Sequence, residues 1–421
     1  MTDGWSILFA GFGTILAVLC GVWFLQAGLV SKRLSELLTL VDLDPADPAV
    51  WPRVSAIVPG RDEAASIGAA LATRLDDDYP DLELVVVDDR STDATPEIIA
   101  HMAAEDSRVV PIRVVEVPAG WLGKLNALEQ GTHAATGEWL LISDADIHFE
   151  RGTLRKAVAF CEEQGRDFLA LVPEFRSGSF AVNVLWATFI RILAMSLSPA
   201  GIRDPESSAS AGSGSFMLMR RSAYDASPGF EYLRMETADD MALGMIIKQS
   251  GGRCEFMNGR NAAWLPSYPS LAAFMRGVEK NGSSLAGTPL PLVFSGMVLA
   301  GLVEYSPLIT LGVGLATQTG WLTALGAVTT VVATATAVGA LWANTHTFIP
   351  GLLWPVGWLG IATGVTRAAW LVHRRGGVEW RDTFYSTEEI LDGQRYKLGA
   401  RAQGGGAIAQ AGRGAPTSRG E

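Results

Sequence analysis

The sequence predicts an α/β domain with a mostly parallel sheet, held at a membrane by apolar helices before and after it. Three observations predict this. Long apolar stretches occupy residues 5–30 near the start and 288–317, 321–343 and 348–372 toward the end. Between them, strand-like and helix-like segments alternate. Three candidate strands end in carboxylates: Asp62 and Glu63, Asp88 and Asp89, Asp144 and Asp146.

The chain has 421 residues, 48% of them hydrophobic, and a mean hydropathy of +0.23. That excess lies in the terminal stretches, which leaves 52–285 to form the soluble core. Residues 5–30 carry no charge and are long enough to cross a bilayer core, with Lys32 and Arg33 behind them and only Asp3 in front. A cleaved signal peptide has its basic residues before the apolar core, so residues 1–33 read as an uncleaved anchor. Residues 34–51 form a juxtamembrane linker, helical in spacing to Val41 and broken by Asp44-Pro45-Ala46-Asp47-Pro48. A net charge of -11 argues against a nucleic-acid partner, which needs a basic footprint. Cys20, Cys161 and Cys254 are odd in number and lack zinc spacing, as suits reduced thiols on the cytoplasmic side.

Residues 54–58 read as the first strand, running into Pro59-Gly60-Arg61-Asp62-Glu63, and 64–74 as a helix. The second strand, 82–87, is nearly continuous in apolar residues, as burial on both faces requires. Thr95 offers an N-cap with Pro96 at the first helical position, opening a helix through Ala104. A third strand at 112–117, a helix at 124–135 stopped by Gly137, and a fourth strand at 139–142 follow. Right-handed crossovers then bring the three acidic strand ends to the carboxyl edge, where open α/β sheets bind ligands. Carboxylates gathered there repel one another unless a cation or hydrogen-bond donors compensate. Asp144-Ala145-Asp146 could hold a divalent metal together with substrate phosphates; a solvated acidic turn is the plainer alternative. The run 120–125 lacks Walker spacing. Lys124 opens a helix, where a cation is mildly unfavourable unless an anion sits beside it.

Five motifs in order resemble the membrane-bound family 2 glycosyltransferases with a GT-A fold: residues 54–63, 87–93, 123–128, Asp144-Ala145-Asp146, and Thr237-Ala238-Asp239-Asp240. The resemblance covers about 54–280 and is nearest to the ceramide-glucosyltransferase-like and hopanoid- or carotenoid-associated lipid glycosyltransferases. It implies a Rossmann-like GT-A catalytic domain, a UDP-sugar donor and Mg2+ or Mn2+. One of Asp88 and Asp89 would accept from the uracil ring, Glu63 would lie near the base or ribose, and Lys124 by the uracil or diphosphate. Asp146 would reach the metal and Asp144 the sugar or ribose. Asp240 would be the catalytic base, with Asp239 in the position of the family's Glu. Read from the residues alone, 236–247 is also an ordinary acidic first turn of an amphipathic helix.

Between metal site and base lies the expected acceptor half. Residues 180–197 are apolar apart from Arg191, as a core helix or an element in the membrane interface would be. Residues 207–215, rich in Ser, Gly and Ala, read as flexible, while 212–218 resembles the family segment beside the acceptor pocket. Gln-x-x-Arg-Trp, which processive members carry after the base, is absent; Arg276 and Lys280 stand in that region, where either would contact the diphosphate, the plainer alternative being the basic residues common at helix ends near membranes. Residues 286–375 read as membrane helices. Four single crossings would put Lys32-Arg33 and His373-Arg374-Arg375 in opposite compartments, against the positive-inside rule. Residues 288–317 are therefore expected to enter and return as a re-entrant pair bent near Glu304 and Pro307. Of the tail, 376–421, the part from Gly404 onward is expected to be disordered.

The expected protein is thus an inverting, metal-dependent glycosyltransferase moving one sugar from a UDP-sugar to a lipid hydroxyl at the cytoplasmic face of a bilayer. A processive polysaccharide synthase and a non-catalytic membrane scaffold are the alternatives.

Overall fold

The computed structural model describes residues 2–380 and 383–396. In chain order it shows helix α1 (Thr2–Glu36), strand β1 (Val54–Gly60), α2 (Ile67–Leu75), β2 (Leu82–Asp89) and α3 (Thr95–Glu105). Strand β3 (Val109–Val114), α4 (Gly123–Ala134), β4 (Trp139–Ile142), α5 (Thr153–Gln164) and β5 (Phe168–Val172) follow. Next come α6 (Phe180–Ser196), β6 (Met217–Arg220), α7 (Asp239–Gln249), β7 (Cys254–Asn258) and α8 (Leu271–Lys280). The long helices α9 (Leu290–Ala316), α10 (Gly320–Thr345) and α11 (Trp354–Arg375) complete the series. Two units emerge. The sheet unit, called the catalytic unit for the activity expected of it, comprises 37–174, 198–266 and the chain from 388; the helical unit comprises 1–36, 175–197 and 267–387.

The catalytic unit is built on a seven-stranded sheet in the order β3-β2-β1-β4-β6-β5-β7. Strands β3, β2, β1 and β4 are parallel, β6 runs against both of its neighbours, and β5 pairs parallel with β7. Strands β1, β2 and β4 are buried along their whole length, as helices on both faces require. Because β2, β1 and β4 are adjacent and parallel, their acidic ends do meet at one edge. The expected linker belongs to this unit: Leu40 is fully buried in its core, and Asn258 N donates to Leu38 O at 2.8 Å. Strand β3 starts three residues earlier than the apolar pattern suggested, because Val109 pairs with Leu84. Thr95 is not an N-cap; it lies inside α3, and its hydroxyl accepts from Glu63 N at 2.8 Å.

The stretch 52–285, expected as one domain, is divided, since 175–197 and 267–285 cluster with the apolar helices. Among the described residues four helices are long and apolar enough to cross a membrane, at 10–36, 290–316, 320–345 and 349–375. Helix α6 is a core helix of this unit, with Arg191 buried. The re-entrant pair expected at 288–317 is not formed: α9 runs unbroken through Pro307. An internal proline leaves the carbonyl four residues back without its helical donor. That carbonyl, of Val303, accepts from Trp23 Nε1 at 2.9 Å and from Ser306 Oγ at 2.8 Å. Glu304 pairs with Arg191, whose guanidinium also stands over the Trp23 ring at 4.9 Å. With its broken backbone bond replaced and its one carboxylate paired, the helix has no reason to turn back. The tail from Gly404 lies outside the described residues.

Candidate active site

The loops leaving β1 and β2 are tied to each other. Asp62, in a left-handed turn, accepts from Thr92 N at 2.7 Å, and Asp93 accepts from Ala64 N at 3.0 Å. Asp88 is 2% exposed, accepts from Ser91 N at 3.1 Å, and lies 3.6 Å from the Arg113 guanidinium. Asp89 accepts from Arg90 Nε at 2.8 Å, and its carboxylate is packed so tightly on Gly123 that a side chain at 123 would overlap it. Gly123 opens α4, and the next residue, Lys124, enters the site.

Lys124 has anionic partners on two sides. Its Nζ lies 2.9 Å from Asp144 Oδ1 and 3.0 Å from Asp239 Oδ2. Burial alone would lower this ammonium, but the charges of Asp144 and Asp239 override it and hold the group protonated. Gly214 makes the second link. Its carbonyl accepts from Asp144 N at 2.8 Å and its N–H donates to Asp240 Oδ2 at 3.1 Å. The other oxygen of Asp240 accepts from Met241 N at 2.7 Å in the first turn of α7. Burial, followed by the charge of Asp239, raises Asp240 above the ordinary carboxylate range, while Lys124 opposes the rise.

Residues 207–215 are thus more than the flexible linker their composition suggested. Gly212 crosses the backbone of Asp240, and Gly244 of α7 crosses Ala211, both closer than any Cβ would allow. Small residues are needed here for contact.

Arg74, at the end of α2 and 1% exposed, holds the turn after β4 from beneath. Its guanidinium donates to Ser143 Oγ at 2.7 Å and to the Asp144 carbonyl at 2.8 Å. Burial pulls Arg74 down to about 10, with Asp146 and Asp144 opposing, so it stays charged at neutral pH. Asp146 is pushed up to about 6 by burial and then by the charges of Asp144 and Glu63. Carboxylate charge at this edge thus exceeds what the protein's own cations offset. No group of three or more metal-ligating side chains occurs among the described residues. Magnesium-class ions accept one or two carboxylates and complete their shell with phosphates and water. The donor set fits a metal that arrives with a diphosphate.

Of the expected residues, Lys124, Asp144, Asp239 and Asp240 form one connected cluster. Asp146 and Glu63 interact beside it, and Asp88 and Asp89 line the neighbouring strand end. Arg276 lies on α8, in the helical unit. Lys280 ends the same helix, and its side chain is outside the described part. Arg74 was missed, and of Gly214 only the surrounding segment 212–218 was singled out. A buried arginine ending an amphipathic helix and a glycine between serines give no sequence signal of what they touch.

Residues 55–227 match the model of glycosyl transferase family 2. This segment is a family 2 glycosyltransferase domain. A beta-monoglucosyldiacylglycerol synthase of Nostoc is 30% identical over 162 residues, which is 38% of this chain and 31% of that one. The putative teichuronic acid biosynthesis glycosyltransferase TuaG of Bacillus subtilis is 28% identical over 117 residues, covering 28% of this chain and 45% of that one. The chain therefore spans less than half the length of these relatives. The mannosyltransferase PcManGT of Pyrobaculum calidifontis, solved with GDP-Man and Mn2+, superposes with a TM-score of 0.51 at 21% identity, covering 86% of this chain and 98% of that one. That likeness supports the GT-A-like fold.

Proposed function

We propose that the chain is an inverting, metal-dependent glycosyltransferase that moves a single sugar from a UDP-sugar to the hydroxyl of a membrane lipid at the cytoplasmic face. The observation that carries the reading is Gly214, whose backbone joins Asp144 on the donor side to Asp240 at the start of α7. Four membrane-length helices and the distant glucosyldiacylglycerol synthases support a lipid acceptor.

In this reading Asp88, Asp89 and Glu63 receive the nucleoside, and Asp144 holds the sugar or ribose. Asp146 is the protein ligand of Mg2+ or Mn2+, which when bound neutralises charge on the diphosphate. Asp240 takes the proton of the acceptor hydroxyl as its oxygen bonds to the anomeric carbon; the bond from that carbon to the diphosphate oxygen breaks, and the nucleotide leaves with the electron pair. Attack opposite the leaving group inverts the configuration. General-base help of this kind contributes about 100-fold to 10,000-fold. Lys124 keeps Asp144 and Asp239 from repelling the incoming diphosphate.

The test is nucleotide release by detergent-purified protein from a panel of UDP-sugars, with GDP-mannose for comparison, and hopanoid, ceramide, carotenoid or diacylglycerol acceptors. One sugar per lipid is expected; long products would support polymer synthesis, and release from no donor would sink the reading.

A further inference from the structure

Beyond the last apolar helix, residues 388–396 return to the catalytic unit. Ile390 is buried there, and Gly393 sits so close to Met235 that any side chain at 393 would overlap it. Just past this contact, two backbone N–H groups converge on one oxygen. Arg395 N and Tyr396 N donate to Oε2 of Glu236 at 2.6 and 2.7 Å. The other oxygen, Oε1, accepts from Ala238 N at 3.0 Å.

Glu236 is 1% exposed. A buried carboxylate is costly unless its lone pairs are satisfied, and here three backbone donors satisfy it. Two come from the far end of the chain; the third comes from the residue immediately before α7, whose first turn carries Asp239 and Asp240. The Arg395 guanidinium stands 5.3 Å from the centre of the Tyr232 ring, which fixes the returning segment on the same side. The Tyr396 phenol is raised by burial and then by the charges of Asp240 and Glu236.

We propose that Glu236 is a positioning residue for Asp240, and that the segment 393–396 engages it as a backbone clamp that sets where the base stands. This inference rests on the reading of Asp240 as the base. The carboxylates read as receiving the nucleoside, Asp88, Asp89 and Glu63, sit at the ends of β1 and β2, so the clamp governs turnover and leaves nucleotide affinity alone.

The test compares Glu236→Gln, Gly393→Val and the double variant of the full chain in detergent, using the donor and acceptor found active for the wild type. Glutamine offers an amide N–H where a carboxylate oxygen now accepts; valine at 393 displaces the segment without touching Glu236. Each single variant should lose about 100-fold in kcat, the effect of a misplacement of about 1 Å, with donor KM within about twofold. The double variant should be no worse than the poorer single, since both break one device. UDP affinity measured by calorimetry with Mn2+ should match the wild type, which separates misplacement from misfolding. A wild-type kcat in either single variant would overturn the proposal, as would a donor KM rising in step with the loss, or losses that multiply in the double. A wild type that releases no nucleotide would refute the functional reading itself, before any variant is compared.

Discussion

Replacing Lys124 by Met keeps the side chain's length and removes its charge, which isolates what the cation contributes to the acidic cluster. The Lys124 side chain is 21% exposed, that of Asp239 10% and that of Asp144 40%. At about 3 Å and an effective dielectric of about 20, each contact is worth roughly 5 kcal/mol of Coulomb attraction. Desolvation of the partners cancels much of this. The half-exposed Asp144 pair is screened to less than about 1 kcal/mol. Loss of the partner of a buried carboxylate costs about 3–5 kcal/mol, so the Asp239 contact dominates and the variant should be destabilised by about 3 kcal/mol at pH 7. The sign with pH follows from the direction of the shift. An ammonium raised above its unfolded value contributes fully below that value and loses its contribution only as the pH climbs past the raised one, so neutral pH reads the whole effect. The same cation holds Asp240 down, so without it the acid limb of the pH–rate profile should move to higher pH. Urea denaturation and the rate profile measure the two effects. Equal midpoints together with an unmoved acid limb would refute the electrostatic account of the cluster.

Asp240→Asn should keep UDP affinity and lose at least about 100-fold in kcat, measured by single-turnover nucleotide release; a loss below tenfold would move the base elsewhere. Since Asp240 must be ionised to take a proton and is raised to about 6, the wild-type kcat/KM should fall as the pH drops through that region. Chelation by EDTA should abolish nucleotide release and added Mn2+ restore it, whereas Asp146→Ala should require far more metal for the same rate, which a metal titration reads. Gly212→Ala sets a methyl group against the Asp240 carbonyl; a shift of about 1 Å there should cost on the order of 100-fold in kcat, with donor KM unchanged.

The β–α rhythm and the acidic strand ends were legible because a buried parallel strand is written in consecutive apolar residues, and its exit is where polarity returns. Val54–Gly60, Leu82–Asp89 and Trp139–Ile142 all follow that rule. What escaped is long-range pairing. Trp23 lies 280 residues from the carbonyl it satisfies at Val303, so Pro307 and Glu304 looked like a bend when they lie in a continuous helix. Gly214 and Gly212 read as slack because composition cannot distinguish a glycine kept for freedom from one kept for contact. Glu236 was visible only as one more acidic residue near a helix start; its donors from 395 and 396 lie 159 and 160 positions away.

The docking of residues 388–396 beside Glu236 also constrains how the chain can be threaded through a bilayer. The chain leaves the catalytic unit after Pro266 and rejoins it at Glu388. Two points of one folded body stand on the same side of a membrane, so an even number of crossings must separate them. Among the described residues three membrane-length helices lie between, which predicts that one of them does not traverse. The helix ending at Arg375 is the least apolar of the three: it carries Arg367 and ends in His373, Arg374 and Arg375. A helix that starts against Trp23 and Thr334 and returns to the side it came from would bring those cations to the side that holds Lys32 and Arg33, and single cysteines placed on either side of it should be labelled from one face of sealed vesicles only.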